Sequence, residues 1–208
     1  MPDSPAVEDP VELKRTNSIV KTAATSDISG IIDVLVRAFS KDPIARWVWP
    51  DPQQYLMHCP SFVRAFGGRA FEHGTAYYVD GYLGAALWLP PNVQPDEETM
   101  VAILQSTVSE QIQKDVLVVF EQMGSYHPNE PHWYLPIMGV DPSQQGRGFG
   151  SMLMKHALAQ CDRDEKLAYL ESSNPRNLPL YERHGFELLG TIQVGTSPSI
   201  FPMLRRPR

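Results

Sequence analysis

The chain has 208 residues, 42% of them hydrophobic, and a formal charge of −6. That length suits one core with room for a small helical insert, and the acidic balance argues against a surface built to track nucleic-acid phosphates. Its two cysteines, Cys59 and Cys161, fall in no CxxC or zinc-type spacing, so no metal site is expected and a reducing cytoplasm is the natural setting.

The opening residues are acidic and proline-bearing, without the basic-then-apolar order of a secretion signal. No run approaches the ~20 apolar residues of a membrane span, so the expectation is a cytoplasmic protein that neither binds nor crosses a membrane. Residues 1–17 lack periodicity and read as a flexible leader to a single domain over 18–208. The 19 prolines are about double the usual usage of roughly 5%. They cluster at both ends, around residues 42–60 and at Pro90-Pro91 to Pro95, where loops are expected.

Ser18-Ile19-Val20-Lys21-Thr22 predicts a short strand, after which Thr25 or Ser26 offers an N-cap. The helix it starts carries Ile28, Ile31, Ile32, Leu35 and Phe39 on one face. Asp42-Pro43 ends it or opens a turn, and residues 43–72 predict one or two further helices with Phe62, Val63, Phe66 and Ala70 as their apolar stripe. Two strands, 75–79 and 82–89, flank Asp80-Gly81, a dipeptide suited to the positive φ angles of a tight hairpin turn. From Pro95 to Met123 the stripes Met100, Ile103, Leu104 and Val116, Leu117, Phe120 predict two helices.

The second half is more explicit. Residues 132–140 predict a strand, 141–150 a glycine-rich loop, and 151–162 a helix burying Leu153, Ala157, Leu158 and Cys161. A buried strand follows over 167–172, then a short helix over 178–184 ended by Gly185, and two strands close the chain.

Pro136 sits inside the predicted strand of 132–140, and a proline cannot donate to a sheet ladder, so it marks an edge or a bulge. If the ladder opens there, Met138, Gly139 and Val140 could bond an extended ligand carrying amides of its own, as pantetheine does. The loop Gln145-Gly146-Arg147-Gly148-Phe149-Gly150 lets backbone amides approach a phosphate closely, and the following helix adds unpaired N–H groups and a positive dipole end. Arg147 and Ser151 add side-chain donors. A Walker loop would need Gly-Lys-Ser/Thr, which is absent, and a dinucleotide fingerprint would need a glycine where Ser151 stands.

Val140-Asp141-Pro142-x-x-Gln145-Gly146-Arg147-Gly148-Phe149-Gly150 resembles the Val-x-Pro-x-x-Arg/Gln-x-x-Gly-x-Gly/Ala signature of the GNAT superfamily of acetyl-CoA-dependent acyltransferases. Downstream, Leu170-Glu171-Ser172 through Asn174, Asn177 and Tyr181 to Gly185-Phe186 is similar to its Asn…Tyr-x-x-x-Gly-Phe element. The wording is closest to the puromycin N-acetyltransferase group, specifically so from about Trp133 to Phe186.

The resemblance implies an α/β GNAT fold, a mixed central sheet splayed into a V with flanking helices and acetyl-CoA between the central strands. Met138, Gly139 and Val140 would then meet pantetheine, and Gln145, Gly146, Arg147, Gly148, Phe149, Gly150 and Ser151 the pyrophosphate. Asn174 and Asn177 occupy the stretch where the superfamily places a cofactor-contacting asparagine; on the residues alone, Asn174 is as readily a helix cap before Pro175. The family assigns the position of Tyr181 to the acid that protonates the leaving thiolate. An ammonium has no lone pair, so the acceptor must lose a proton; Glu171, at a strand end beside the cleft, is the side-chain candidate for that base, with a water chain as the alternative. Backbone N–H groups near Met138 could polarise the thioester carbonyl.

The expected activity is acetyl transfer to a primary amine of a small molecule, by a monomer or homodimer. A non-catalytic acetyl-CoA sensor and a protein or peptide N-acetyltransferase are the alternatives. His127 and His132 lack a metal-ligand pattern, His156 and His184 sit on predicted helices where a solvated face is the common explanation, and none of the four receives a role. Trp47, Trp49, Tyr77, Tyr78 and Trp88 could line an amine pocket or fill the core. Position 42 is an aspartate where puromycin acetyltransferase carries tyrosine, so the acceptor is expected to differ.

Overall fold

The structure, a computed structural model, describes residues 19–208; the leader expected over residues 1–17, and Ser18, lie outside the described residues. β1 (Val20–Thr22) leads through a 3₁₀ turn at Thr25–Asp27 into α1 (Ile28–Ala38). Neither Thr25 nor Ser26 caps this start. Ala24 holds the cap position, and the Asp27 carboxylate reaches back to accept from its N–H at 2.8 Å, satisfying a donor the helix leaves free. The apolar face of α1 is wider than its spacing suggested, burying Ile31, Ile32, Val34, Leu35 and Val36.

Residues 43–72 form three helices, not one or two: α2 (Pro43–Val48), α3 (Pro52–Gly67) and α4 (Arg69–Glu72). The extra boundary is a second Asp-Pro cap. Asp42 accepts from Ile44 and Ala45 N–H, and Asp51 from Gln53 and Gln54 N–H, each with proline at the first helical position.

β2 (Ala76–Val79) and β3 (Gly84–Leu89) pair antiparallel with Val79 opposite Gly84. Their connection is therefore the four-residue loop of Asp80, Gly81, Tyr82 and Leu83, wider than a tight Asp-Gly turn. Gly81 and Tyr82 both take positive φ, 77° and 53°. Strain at Tyr82 is offset by its hydroxyl donating to Asp27 at 2.9 Å and by its ring stacking on Tyr78.

α5 (Glu97–Thr107) and α6 (Glu110–Tyr126) follow, then β4 (Trp133–Val140), α7 (Phe149–Arg163), β5 (Ala168–Ser172), α8 (Leu178–Arg183), β6 (Glu187–Leu188) and β7 (Phe201–Arg205). The seven strands of the described residues form one sheet ordered β1-β2-β3-β4-β5-β7-β6, with β4 and β5 its parallel pair. Strand alternation feeds two cores. Ala76, Tyr78 and Leu87 pack with α1 and α3, while Tyr77, Val79 and Trp88 pack with Leu153, Ala157 and Leu158 of α7. Among the described residues, no helix is long and apolar enough to cross a membrane.

The central strands splay. β4 pairs with β5 only at Trp133, Tyr134 and Leu135. The next residue, Pro136, has no N–H to offer. On its other side β4 carries a bulge, because the step from Leu87 to Leu89 in β3 faces the longer step from Ile137 to Tyr134. Residues 137–140 stay paired to β3, and past Leu170 strand β5 keeps only its pairing to β7, which runs from Ala168 to Ser172. The result is a V that opens between β4 and β5, the fold class expected.

Candidate active site

Gly139 lets α1 press against the opened stretch of β4, for a Cβ there would lie 2.5 Å from the Ala38 Cβ. After Val140, Asp141 pins the start of the loop. Its carboxylate accepts from Ser143 N and Oγ at 2.9 and 2.7 Å and from Arg37 Nε at 3.0 Å. The Ser143 bonds, and then Arg37, hold its pKa below the usual carboxylate range.

Gly146 and Gly148 take φ of 77° and 87°, and a Cβ on either would meet nothing within 4 Å. The glycines are needed for backbone conformation, and the space beside them is open. Gly148 leads into α7 through Phe149, whose ring is buried. The first-turn amides of α7 have no intrahelical acceptor, so loop and helix together form an open cradle of N–H groups that fits a pyrophosphate. The Arg147 guanidinium donates to Gln144 Oε1 at 2.6 Å and lies over the Phe149 ring. Gln145 Nε2 donates to the Val140 carbonyl at 3.3 Å. Ser151 Oγ and His184 Nε2 lie 2.8 Å apart, and burial, helped by Lys155, Arg183, Arg205 and Arg208, lowers the His184 pKa.

On the other side of the V a cavity lies beneath α2, α3 and α6. Trp47, Trp49, Phe62, Phe66, Phe120 and Met123 form its upper wall, and Pro136, Met138 and Leu170 its strand side. Polar groups in the lining include Asp42, Glu171, Asn177 and Tyr181. The segment after β6 helps close it, with Ile200 in the lining and Trp47 Nε1 donating to Thr196 Oγ1 at 3.1 Å.

Tyr181, on α8, is 7% exposed and packs edge-on against Phe186. Burial, and then the charge of Asp42, push its pKa up, so the phenol keeps its proton at neutral pH. Asp42 is occupied structurally: one oxygen caps α2 and the other accepts from Ser173 Oγ at 2.5 Å. Burial raises its pKa against the opposing effect of those bonds.

Glu171 is different. Its side chain is 3% exposed, and Oε2 accepts from Tyr134 Oη at 2.9 Å. Oε1 lies 3.3 Å from His127 Nε2 yet lacks an aligned hydrogen bond, so the oxygen still has capacity to accept. Glu171 also lines a second cavity, bounded by Glu97, Met100, Glu121, His127 and His132, so it stands where the two spaces meet.

Of the residues singled out by sequence, Met138, Glu171, Asn177 and Tyr181 share the first cavity. Asn174 does not line it; its side chain accepts from Arg176 N at 3.0 Å and caps the turn before α8. Trp47 and Trp49 face the cavity, while Tyr77, Tyr78 and Trp88 are buried among core residues. Sequence reading missed the placement of Asp42, for which Asp-Pro was the available signal. It also missed His127 and His132, which lie at the end of α6 and the start of β4; no period links these two positions.

The chain matches the Acetyltransferase (GNAT) family over residues 42–186. An uncharacterized N-acetyltransferase of Schizosaccharomyces pombe is 23% identical over 206 residues, spanning 90% of this chain and 83% of that protein. The crystal structure of a histone acetyltransferase HPA2 and related acetyltransferase from Corynebacterium glutamicum superposes with a TM-score of 0.65 at 26% identity, covering 92% of this chain and 97% of that one. A Drosophila melanogaster polyamine N-acetyltransferase superposes with a TM-score of 0.63 at 14% identity, covering 91% and 100%.

Proposed function

The chain belongs to the acetyltransferase (GNAT) family and is an acyltransferase, and we propose that residues 18–208 act as one domain that acetylates a primary amine of a small molecule by direct attack with both substrates bound. The family's acetyl donor is acetyl-CoA, which when bound supplies the acetyl group as an activated thioester. Residues 138–140 would hold its pantetheine at the open edge of β4, and residues 145–151 its pyrophosphate. The open space beside Gly146 and Gly148 supports that placement.

Tyr181 and Glu171 divide the proton work. The Tyr181 hydroxyl, kept protonated by burial, gives its proton to the departing sulfur. Glu171 takes the proton that the acceptor ammonium must lose before its nitrogen can attack. Asn177, in the cavity with both, is better placed than Asn174 to contact the donor.

One observation carries the small-molecule reading: helices α2, α3 and α6 roof the cavity that contains Tyr181 and Glu171. A protein substrate would need an open groove along the sheet. The stretch that resembles the puromycin N-acetyltransferase group lies outside this roof, which leaves the walls between Ile44 and Met123 to select another amine. Mixing the protein with acetyl-CoA and a panel of aryl, alkyl and poly-amines, and following free thiol, tests the proposal. Thiol release that depends on one class of amine supports it. Release only with peptides, or none above background, counts against it.

A further inference from the structure

The outer cavity is the larger of the two, about 520 Å³ against about 120 Å³ for the inner one that holds Tyr181. An acceptor longer than its reacting end therefore extends outward. Phe66, Leu104, Phe120, Met123 and Glu171 line both cavities, so the two spaces adjoin along four apolar side chains and one carboxylate.

The charges in the outer cavity are of one sign. Glu97, from the first turn of α5, and Glu121, from α6, are exposed and line only this cavity, while Glu171 is buried at the junction. No lysine or arginine lines it. Arg69 reaches the Gln94 carbonyl at its edge at 3.0 Å but stays outside the lining. His132 brings no opposing charge at pH 7, because burial lowers its pKa. Among the described residues, none of the three carboxylates forms an ion pair with a lysine or arginine. Glu171 adds an independent sign of a missing cation: its side chain is 3% exposed, yet Oε1 has no hydrogen-bond donor. Leaving a buried carboxylate oxygen unfilled is costly, and an ammonium would fill it.

We propose that the acceptor is an α,ω-diamine. Its reacting ammonium sits at Glu171, its hydrocarbon chain runs along Phe66, Leu104, Phe120 and Met123, and its far ammonium lies beside Glu97 and Glu121. Acid, apolar wall and acid complement ammonium, methylenes and ammonium in the same order, and the rings of Phe66 and Phe120 add surface that attracts a cation. This deepens the acetyl-transfer reading and rests on it. The reacting ammonium gives one proton to Glu171, its nitrogen forms the amide bond as the thioester C–S bond breaks, and the sulfur takes the Tyr181 proton. The far ammonium keeps its charge. Once one end is acetylated, its neutral amide no longer suits the far position, so the product stops at one acetyl group.

The test sets α,ω-diaminoalkanes against n-alkylamines of the same chain length, in which methyl replaces the far ammonium, by thiol release and by calorimetric binding. The diamines should be preferred by about 5-fold or more in kcat/KM, through a lower KM, and mass spectrometry should find one acetyl group on each. The double variant Glu97→Gln, Glu121→Gln changes charge without shape at two exposed positions, and the preference should shrink toward unity. Glu98→Gln, outside both linings, should keep it. A preference intact in the double variant, or n-alkylamines used as well as diamines, overturns the diamine assignment and leaves acetyl transfer standing. No thiol release with any amine, alongside diamine binding that depends on Glu97 and Glu121, overturns acetyl transfer and leaves the cation site standing. Neither release nor binding overturns both.

Discussion

Arg205 forks onto Asp162, its two terminal nitrogens donating to the two carboxylate oxygens at 2.7 and 2.9 Å. Arg205 is 4% exposed and its Nε also donates to the His184 carbonyl at 2.9 Å, so one side chain ties β7 to the ends of α7 and α8. Removing the anion would strand a buried guanidinium. Asp162→Asn is expected to cost about 3 kcal/mol in urea unfolding at pH 7. The bond to Arg205 depresses the Asp162 pKa in the folded state, so its stabilisation is present above the unfolded value of about 3.9 and lost as pH falls through the lower folded value. The gap between wild type and variant should therefore be full at neutral pH and shrink below about pH 4; a gap independent of pH would contradict the ion pair.

Gly148 tests the cradle. Its φ of 87° lies in the left-handed region, which costs a residue with a Cβ about 1–2 kcal/mol. With open space beside it, Gly148→Ala should fold with that modest loss. Its methyl would stand where the pyrophosphate is expected, so acetyl-CoA affinity measured by calorimetry should fall about 10-fold, a penalty of ~1.4 kcal/mol. Unchanged affinity would place the phosphates elsewhere.

The two cysteines should be silent in the folded protein. Burial pushes the Cys59 thiol up to about 11 and Cys161 up to about 12, which leaves roughly one thiolate in 10,000 or fewer at neutral pH. A disulfide reagent should therefore titrate no fast thiol in the native chain and both thiols in denaturant. Fast native reaction would show that the cavity wall near Cys59 opens.

The opened sheet was legible in the sequence because one residue type does the work: Pro136 cannot donate, and the β4–β5 pairing stops at Leu135 and Leu170 beside it. The loop was legible for a similar reason, since Gly146 and Gly148 adopt backbone angles that other residues resist. Glu171 could be named from its place at a strand end and Tyr181 from the resemblance to the family's Tyr-x-x-x-Gly-Phe element, but not their shared cavity. That cavity depends on how α2, α3 and α6 cross the sheet, which is a matter of packing between segments far apart in the chain. Asp80-Gly81 misled because the turn is set by Tyr82 reaching Asp27, a contact no local pattern contains. His127 and His132 were passed over for the same reason, as the two rings meet only in the fold, with His127 beside Glu171.

The most direct measurement is thiol release and acetyl-CoA binding in the same preparation of Tyr181→Phe. The hydroxyl makes no hydrogen bond to another described residue and its ring packs on Phe186, so the variant should fold as wild type does. The account predicts acetyl-CoA affinity within about two-fold of wild type and amine-dependent thiol release lower by about 10²–10⁴. Thiol release at the wild-type rate would contradict the assignment of Tyr181 as the acid, and with it the site proposed for acetyl transfer.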